Sequence, residues 1–180
     1  MAIRIIAGSL GGRILKTPRS HKTHPMGERE RAAIFNAISH DLANAKILDL
    51  FAGSGALGLE SLSRGGRLAV FVEKDHLAQK ILAENIAALG VRPQTILHNM
   101  NARNIFNLGE KFDIIFADPP YHQPQWNIIQ KLGQILAKGG KLIISRQKGM
   151  PLPELSGLVV TSSKIYAGAA IDILEGINEF

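Results

Sequence analysis

From Lys46 to Gln147 the apolar positions switch repeatedly between two spacings. Residues 46–51 (KILDLF) make a short apolar run suited to a buried strand. Residues 56–65 (ALGLESLSRG) space their leucines for a helix closed by glycine. Residues 68–75 (LAVFVEKD) predict the next strand, and residues 76–90 (HLAQKILAENIAALG) a helix with Leu77, Ile81, Leu82, Ile86 and Leu89 inward. Strands follow at 94–100 (QTILHNM) and 112–120 (FDIIFADPP), then a helix at 125–139 (QWNIIQKLGQILAKG) and a strand at 140–147 (GKLIISRQ). Strand–helix alternation of this kind predicts a mostly parallel sheet with helices on both faces. Residues 157–177 read as two strands around Ala167-Gly168, an antiparallel hairpin at one edge that brings the α/β sheet to seven strands. Ahead of the alternation, residues 27–42 predict a helix with Ala33, Ile34, Ala37 and Ile38 on one face. Its first turn carries acids, where the helix dipole favours them. Residues 4–18 (RIIAGSLGGRILKTP) predict a β-hairpin appended to the fold, and residues 19–25 an irregular stretch. The expectation is one domain over 1–180, with an N-terminal hairpin extension (1–26) on a core (27–180).

Composition narrows the class without naming a function. At 46% apolar and 20% charged the chain is globular, and with no cysteine it has neither disulfides nor thiolate metal sites. No apolar run reaches the length of a membrane span and no signal-peptide core opens the chain, so a soluble cytoplasmic protein is expected. The six histidines show no metal-ligand spacing, and no metal is expected. Charge is more telling. Residues 1–31 hold seven Lys/Arg against Glu28 and Glu30, a local excess of +5 in a chain of net charge +6. Scattered cations are usually a solvated surface. A one-ended excess suggests a polyanion, with nucleic acid as the candidate, gripped by Arg4, Arg13, Lys16 and Arg19. The plainer alternative is a hairpin that only covers an edge of the core.

Between the first core strand and its helix stands LDLFAGSGALGLE (48–60), in which Gly53, Gly55 and Gly58 fit G-x-G-x-x-G. Glycines there admit positive φ and let a ligand approach the backbone, ahead of a helix N-terminus. Glu73 ends the next strand, where a carboxylate can accept hydrogen bonds from ribose hydroxyls. An adenosine-bearing ligand follows: a nicotinamide dinucleotide or S-adenosylmethionine. Asp49, inside the first strand, would sit badly beside a pyrophosphate and well near an ammonium or sulfonium. Asn101 and the backbone of Ala102, after the third strand, are candidates to read an adenine edge.

The fourth strand ends in Asp118-Pro119-Pro120-Tyr121. One proline ends a strand; it explains neither the acid before the pair nor the ring after it. An amino group on a base is a poor nucleophile, because its lone pair is delocalised. Acceptors at its hydrogens, the Asp118 carboxylate and the Pro119 carbonyl, favour a pyramidal nitrogen. The two prolines hold that backbone rigid for in-line transfer, and Tyr121 can stack on the base through its ring alone. Trp126 reads as packing, and Tyr166 as either a hairpin residue or part of a substrate groove.

These residues amount to a resemblance. RIIAGSLGGRIL, HPMGERERAAIFN, LDLFAGSGALGLESLSRG, FVEKD, DPPY and KIYAGAAIDIL together resemble the bacterial 16S ribosomal RNA guanine-N2 methyltransferases (RsmD-like), nearly end to end. The resemblance implies a Rossmann-like class I methyltransferase fold and S-adenosyl-L-methionine as cofactor. It implies a cofactor site of Met26, Asp49, Phe51, Gly53, Gly55, Glu73, Lys74, Asn101 and Ala102, and a monomer acting on 16S ribosomal RNA or the small ribosomal subunit. Relatives usually carry Arg-Pro-Thr where this chain has His24-Pro25-Met26, a segment expected to close over the methionine end of the cofactor. They often carry an acid where this chain has Arg146. Three rivals stay open: methylation of adenine in DNA or glutamine in protein, a dinucleotide-dependent oxidoreductase, and a non-catalytic RNA-binding module.

Overall fold

A computed structural model describes residues 3–18 and 26–177. The N-terminal strands β1 (Ile3–Arg4) and β2 (Ile14–Leu15) pair antiparallel as a two-stranded hairpin. Helix α1 (Glu28–Ala37) follows, then β3 (Lys46–Asp49), α2 (Ala56–Ser63), β4 (Leu68–Glu73), α3 (His76–Leu89) and β5 (Thr95–Asn99). After β6 (Phe112–Ala117) come a short α4 (Trp126–Ile129), β7 (Leu136–Gln147), β8 (Leu158–Ile165) and β9 (Ala169–Gly176). The main sheet has seven strands in the order β5-β4-β3-β6-β7-β9-β8. Strands β5 to β7 are mutually parallel, and β9 runs antiparallel between β7 and β8. This is a Rossmann-like sheet of the class I methyltransferase type, and its strand order reverses between β3 and β6.

Alternation along the strands divides the core. Leu48, Val70, Val72, Ile115, Leu142 and Ile144 face one side, where Ile128, Ile129, Leu132 and Leu155 cover them. Ala69 and Phe71, and Ile47, Ile114, Phe116 and Ile143, face the other side, under α1, α2 and α3. Three expectations about these layers change. The stretch 125–139 is not one helix: α4 is a single turn, a 3-10 turn spans Leu132–Ile135, and β7 already begins at Leu136. Leu132, Ile135 and Leu136 have helical spacing, but Gly133 lowers the helix propensity, and these side chains reach the core from a turn and a strand instead. On α3, Leu77 is exposed, and Ala78, Leu82, Ile86 and Leu89 face the core. On α1, Arg31, Ile34 and Phe35 are buried and Ala37 is exposed, so the inner face is rotated from the expected one.

The hairpin is sewn into the core rather than appended to it. Ile3, Ile5 and Leu15 belong to the cluster around Leu59, Phe71, Leu82 and Ile86. Glu60 on α2 is fully buried, and its carboxylate accepts the backbone N–H groups of Ile6 (2.6 Å) and Ala7 (3.1 Å) and the Nε of Arg64 (2.7 Å). Gly8, at φ +86°, passes so close to Ser63 that a Cβ would overlap its carbonyl. Asn85 on α3 accepts the N–H of Lys16 and donates to the carbonyls of Lys16 and Ser54, each at 2.9 Å, so one side chain ties the hairpin to the glycine loop.

Removing part of that seam is expected to unfold the protein rather than free a separable arm. Leu15→Ala should cost about 2–5 kcal/mol, the usual range for a buried leucine. Urea denaturation measures it. A loss within about 0.5 kcal/mol, typical of an ordinary surface change, would show that the hairpin does not share the core.

Candidate active site

In open α/β sheets the crevice lies beyond the carboxyl ends of the strands at the point of reversal. Here that point is the β3–β6 pair, in which Leu48 is opposite Ile115 and Asp49 opposite Phe116. The glycine loop leaves β3 and the Asp118–Tyr121 stretch leaves β6, so both border one crevice. Gly53 has φ +54°, and an added Cβ there would have no neighbour within 4 Å: the loop is open on that side. Gly55, at φ +82°, differs. A Cβ on it would overlap Leu82, so its smallness serves packing on α3 rather than clearance for a ligand. Gly58 packs against the ring of Phe71 in the same way.

Three acids converge on the crevice. Asp49 is buried, and its Oδ2 accepts the N–H of Gly58 at 3.0 Å, clamping the first turns of α2. Burial pushes its carboxyl up to about 7; the Gly58 bond opposes this, and the charges of Asp118 and Glu73 add to it. Glu73 Oε2 accepts the N–H of Gly53, and Oε1 those of Lys74 and Asp75, each at 2.8 Å. It therefore fixes the glycine loop against the end of β4 before any ligand is considered. Part of Asp118 reaches solvent, yet the protein packed round its carboxyl pushes it up to about 6, against the pull of the Ser145 hydroxyl.

Ser145 is the residue that sequence reasoning missed. It is buried on β7, and its Oγ lies 2.9 Å from the hydroxyl of the half-buried Tyr121. The Tyr121 hydroxyl is therefore engaged and does not merely ride on a stacking ring. The signal was faint: one serine in the apolar run LIIS. Its significance depends on the β6–β7 register, in which Ala117 pairs with Ile144.

The other expected residues are distributed as follows. Asn101 Oδ1 accepts the N–H and Nε of Arg103, capping the turn over 102–108, and Ala102 is buried behind it. Phe51 and Met26 are partly buried against core clusters, and the backbone of the exposed Lys74 is tied to Glu73. Arg4 pairs with Glu28 and Lys16 with Glu84, while Arg13 donates to the Ala88 carbonyl. Arg19, His24 and Pro25 lie outside the described residues. Arg146 pairs with the buried Asp172 across β7 and β9 and also reaches the Met150 carbonyl. Among the described residues no cluster of His, Asp or Glu suits a metal ion, and no helix is long and apolar enough to cross a membrane.

Asp49 makes stability depend on pH. Its folded pKa of about 7 exceeds the roughly 3.9 of an unfolded aspartate, so protonation favours the fold. That contribution is full below about pH 4 and is lost as pH rises through about 7. Asp49→Asn keeps an acceptor for Gly58 without the charge. It should raise Tm at pH 8 relative to the parent, and the difference should shrink toward pH 5. Calorimetric scans at both pH values decide it; an equal Tm difference at both would refute the assignment.

A family profile described as "Conserved hypothetical protein 95" matches residues 3–175. "Putative rRNA methyltransferase YlbH" of Bacillus subtilis is 32% identical over 179 residues, spanning 95% of this chain and 97% of that protein. "Ribosomal RNA small subunit methyltransferase D" of Escherichia coli is 36% identical over 121 residues, spanning 67% of this chain and 61% of that protein. The solved structure "Putative methyltransferase yhhF from Escherichia coli" superposes with a TM-score of 0.85 at 29% identity, covering 98% of both chains. With the profile spanning nearly the whole described fold, the chain belongs to the conserved hypothetical protein 95 family, that of the ribosomal RNA small subunit methyltransferase D proteins.

Proposed function

We propose that this chain transfers a methyl group from S-adenosyl-L-methionine to the exocyclic amino group of a guanine in 16S ribosomal RNA, acting in the cytoplasm as a monomer. One observation carries the reading. At a single reversal of strand order, the glycine loop held by Glu73 stands beside Asp118, itself next to Ser145 and Tyr121.

The residues present fit the cofactor. Gly53 leaves open space on the loop, and the carboxyls of Asp49, Glu73 and Asp118 suit a cationic ligand better than the pyrophosphate of a dinucleotide. When bound, S-adenosylmethionine supplies an electrophilic methyl group on a sulfonium. Glu73 would hold the ribose hydroxyls, Asn101 and Ala102 the adenine edge, and Asp49 the cationic end, with Phe51, Lys74, Gly55 and Met26 around them.

The Asp118 carboxylate and the Pro119 carbonyl accept the two N–H groups of the target amine, which frees the nitrogen lone pair. Pro119 and Pro120 keep those acceptors in line. Tyr121 stacks on the base while Ser145 holds its hydroxyl. After transfer the nitrogen is positively charged, and Asp118 takes up the proton it sheds. Arg4, Arg13, Lys16 and Arg19 grip the RNA backbone. The pairs of Arg4 and Lys16 are exposed and screened by solvent, so phosphates displace their acidic partners at little cost.

Small subunits from cells lacking the gene, incubated with methyl-labelled S-adenosylmethionine, should take up label at one guanine of 16S ribosomal RNA. Label in a ribosomal protein, in an adenine or nowhere would overturn the reading. Asp118→Ala should lower kcat about 100-fold or more, the usual cost of one preorganised group. Wild-type turnover should fall as pH drops through about 6, where Asp118 is protonated. Ser145→Ala removes the bond that favours the Asp118 charge, so its acid limb should move to higher pH; an unmoved limb would separate Ser145 from the chemistry.

Cofactor choice has its own test. S-adenosylhomocysteine should raise Tm and NAD should not, and Glu73→Ala should abolish that protection. Protection by NAD instead would favour the oxidoreductase.

A further inference from the structure

A second recess opens beyond the carboxyl end of β7, the strand that carries Ser145. Its volume is about 480 Å³, and Arg29, Glu30, Lys148, Ile165, Tyr166 and Ala167 line it. That volume falls within the roughly 300–1,000 Å³ of ligand sites. Its walls come from three places: the first turn of α1, the loop after β7, and the β8–β9 turn. The last two are fastened together by the Lys148 N–H, which donates to the Gly168 carbonyl at 3.1 Å, and the Tyr166 N–H closes the turn itself on the Ala169 carbonyl at 2.7 Å. Lys148 joins the recess to the active site: it follows the end of β7, three residues beyond Ser145, whose hydroxyl lies 2.9 Å from that of Tyr121.

The lining has a mixed chemistry. Tyr166 is half-buried against the cluster of Ile34, Phe35 and Phe116, which steadies its ring, while Ile165 beside it is 67% exposed. Arg29 and Lys148 are exposed, and neither forms an ion pair among the described residues. Arg4, Arg13 and Lys16 on the hairpin all have partners. Two uncommitted cations around an anchored aromatic ring form the combination that holds a single-stranded nucleotide: charge for the phosphate, a flat face for the base. A base drawn out of its stack to reach Asp118 leaves a neighbour that has lost its own stacking partner.

Resting on the reading of this chain as an RNA methyltransferase, we infer that the recess is a subsite for the nucleotide adjoining the target. Its base lies on Tyr166 and Ile165, and its phosphate lies between Arg29 and Lys148. Stacking on a ring accepts any base, so the subsite grips the strand without reading its sequence. Glu30 accepts base N–H groups and keeps phosphates out of its corner of the recess.

The test uses a fluorescein-labelled single-stranded RNA of roughly 12 nucleotides, within the site sizes of single-strand binders. Its anisotropy is followed over a salt series, alongside methylation kinetics on small subunits. Tyr166→Ala should weaken binding about 5- to 150-fold, and Tyr166→Phe should restore most of it. The surface double variant Arg29→Gln/Lys148→Gln leaves the core untouched. It should flatten the log-affinity versus log-salt slope by about 1.4, two phosphate contacts' worth, and raise KM with kcat near the parent value. Unchanged slope and affinity in the folded variants would sink the subsite. Slower methylation of subunits with unchanged affinity for the short RNA would assign the recess to a protein of the particle, and sink it equally. If the parent enzyme itself neither binds the RNA nor labels ribosomal RNA, the functional reading falls and the subsite falls with it.

Discussion

The pairing of β3 with β6 is the constraint on which the site depends. Ile47, Leu48 and Asp49 run parallel to Ile114, Ile115 and Phe116, and the Leu50 N–H extends the ladder to the Phe116 carbonyl at 3.1 Å. Both strands are buried on both faces, so neither can slip without moving its apolar side chains to the wrong layer. Because they end at the same level, the glycine loop and the Asp118–Tyr121 stretch must emerge side by side. The neighbouring register acts in the same way. Ala117 pairs with Ile144, so the next residues along, Asp118 and Ser145, stand together. A one-residue slip would put Ile144 or Arg146 in place of the Ser145 hydroxyl.

Stability and function pull against each other at this point. Asp49, Glu73 and Asp118 share a crevice with no basic side chain paired to any of them among the described residues, and burial above all pushes the Asp49 and Asp118 carboxyls well above an ordinary aspartate, with the charges of Asp118 and Glu73 adding to the shift at Asp49. Burying these charges without cations destabilises the empty fold at neutral pH, and a cationic ligand in the crevice would offset that cost. The backbone N–H groups given to Asp49 and Glu73 offset part of that cost. They also explain why these acids cannot be regarded as ligand contacts alone: each also holds its own loop or helix in shape.

Elsewhere, charged side chains serve as seams. Glu60 is fully buried yet saturated by two hairpin amides and Arg64, which joins the N-terminus to α2. Asn85 carries the same joint onward to Ser54, so the hairpin and the glycine loop are mechanically linked through one amide. Arg146 is committed to Asp172, which also accepts a hydrogen bond from Ser163 at 2.6 Å. At this position the arginine is structural. Lys148, two residues further along, is exposed and forms no ion pair among the described residues.

Periodicity and spacing in the chain determined the strand order's class, the glycine turn, the Glu73 strand end and the Asp118–Tyr121 motif, because each is written in neighbouring residues and local chemistry. Local spacing failed where a residue's neighbours in space are distant in sequence. It cast 125–139 as a helix, because Leu132, Ile135 and Leu136 have helical spacing whether or not a helix forms. It set the hairpin outside the core, because the acceptor for Ile6 and Ala7 lies more than fifty positions away at Glu60. It read Gly55 as clearance for a ligand, when Leu82 of α3 fills that space. Ser145 was illegible for the same reason: a lone serine in LIIS acquires meaning only when the β6–β7 register sets it beside Asp118 and Tyr121. What the linear sequence determined was which chemistry is present; which groups share it was decided by the parallel pairing of strands remote in the chain.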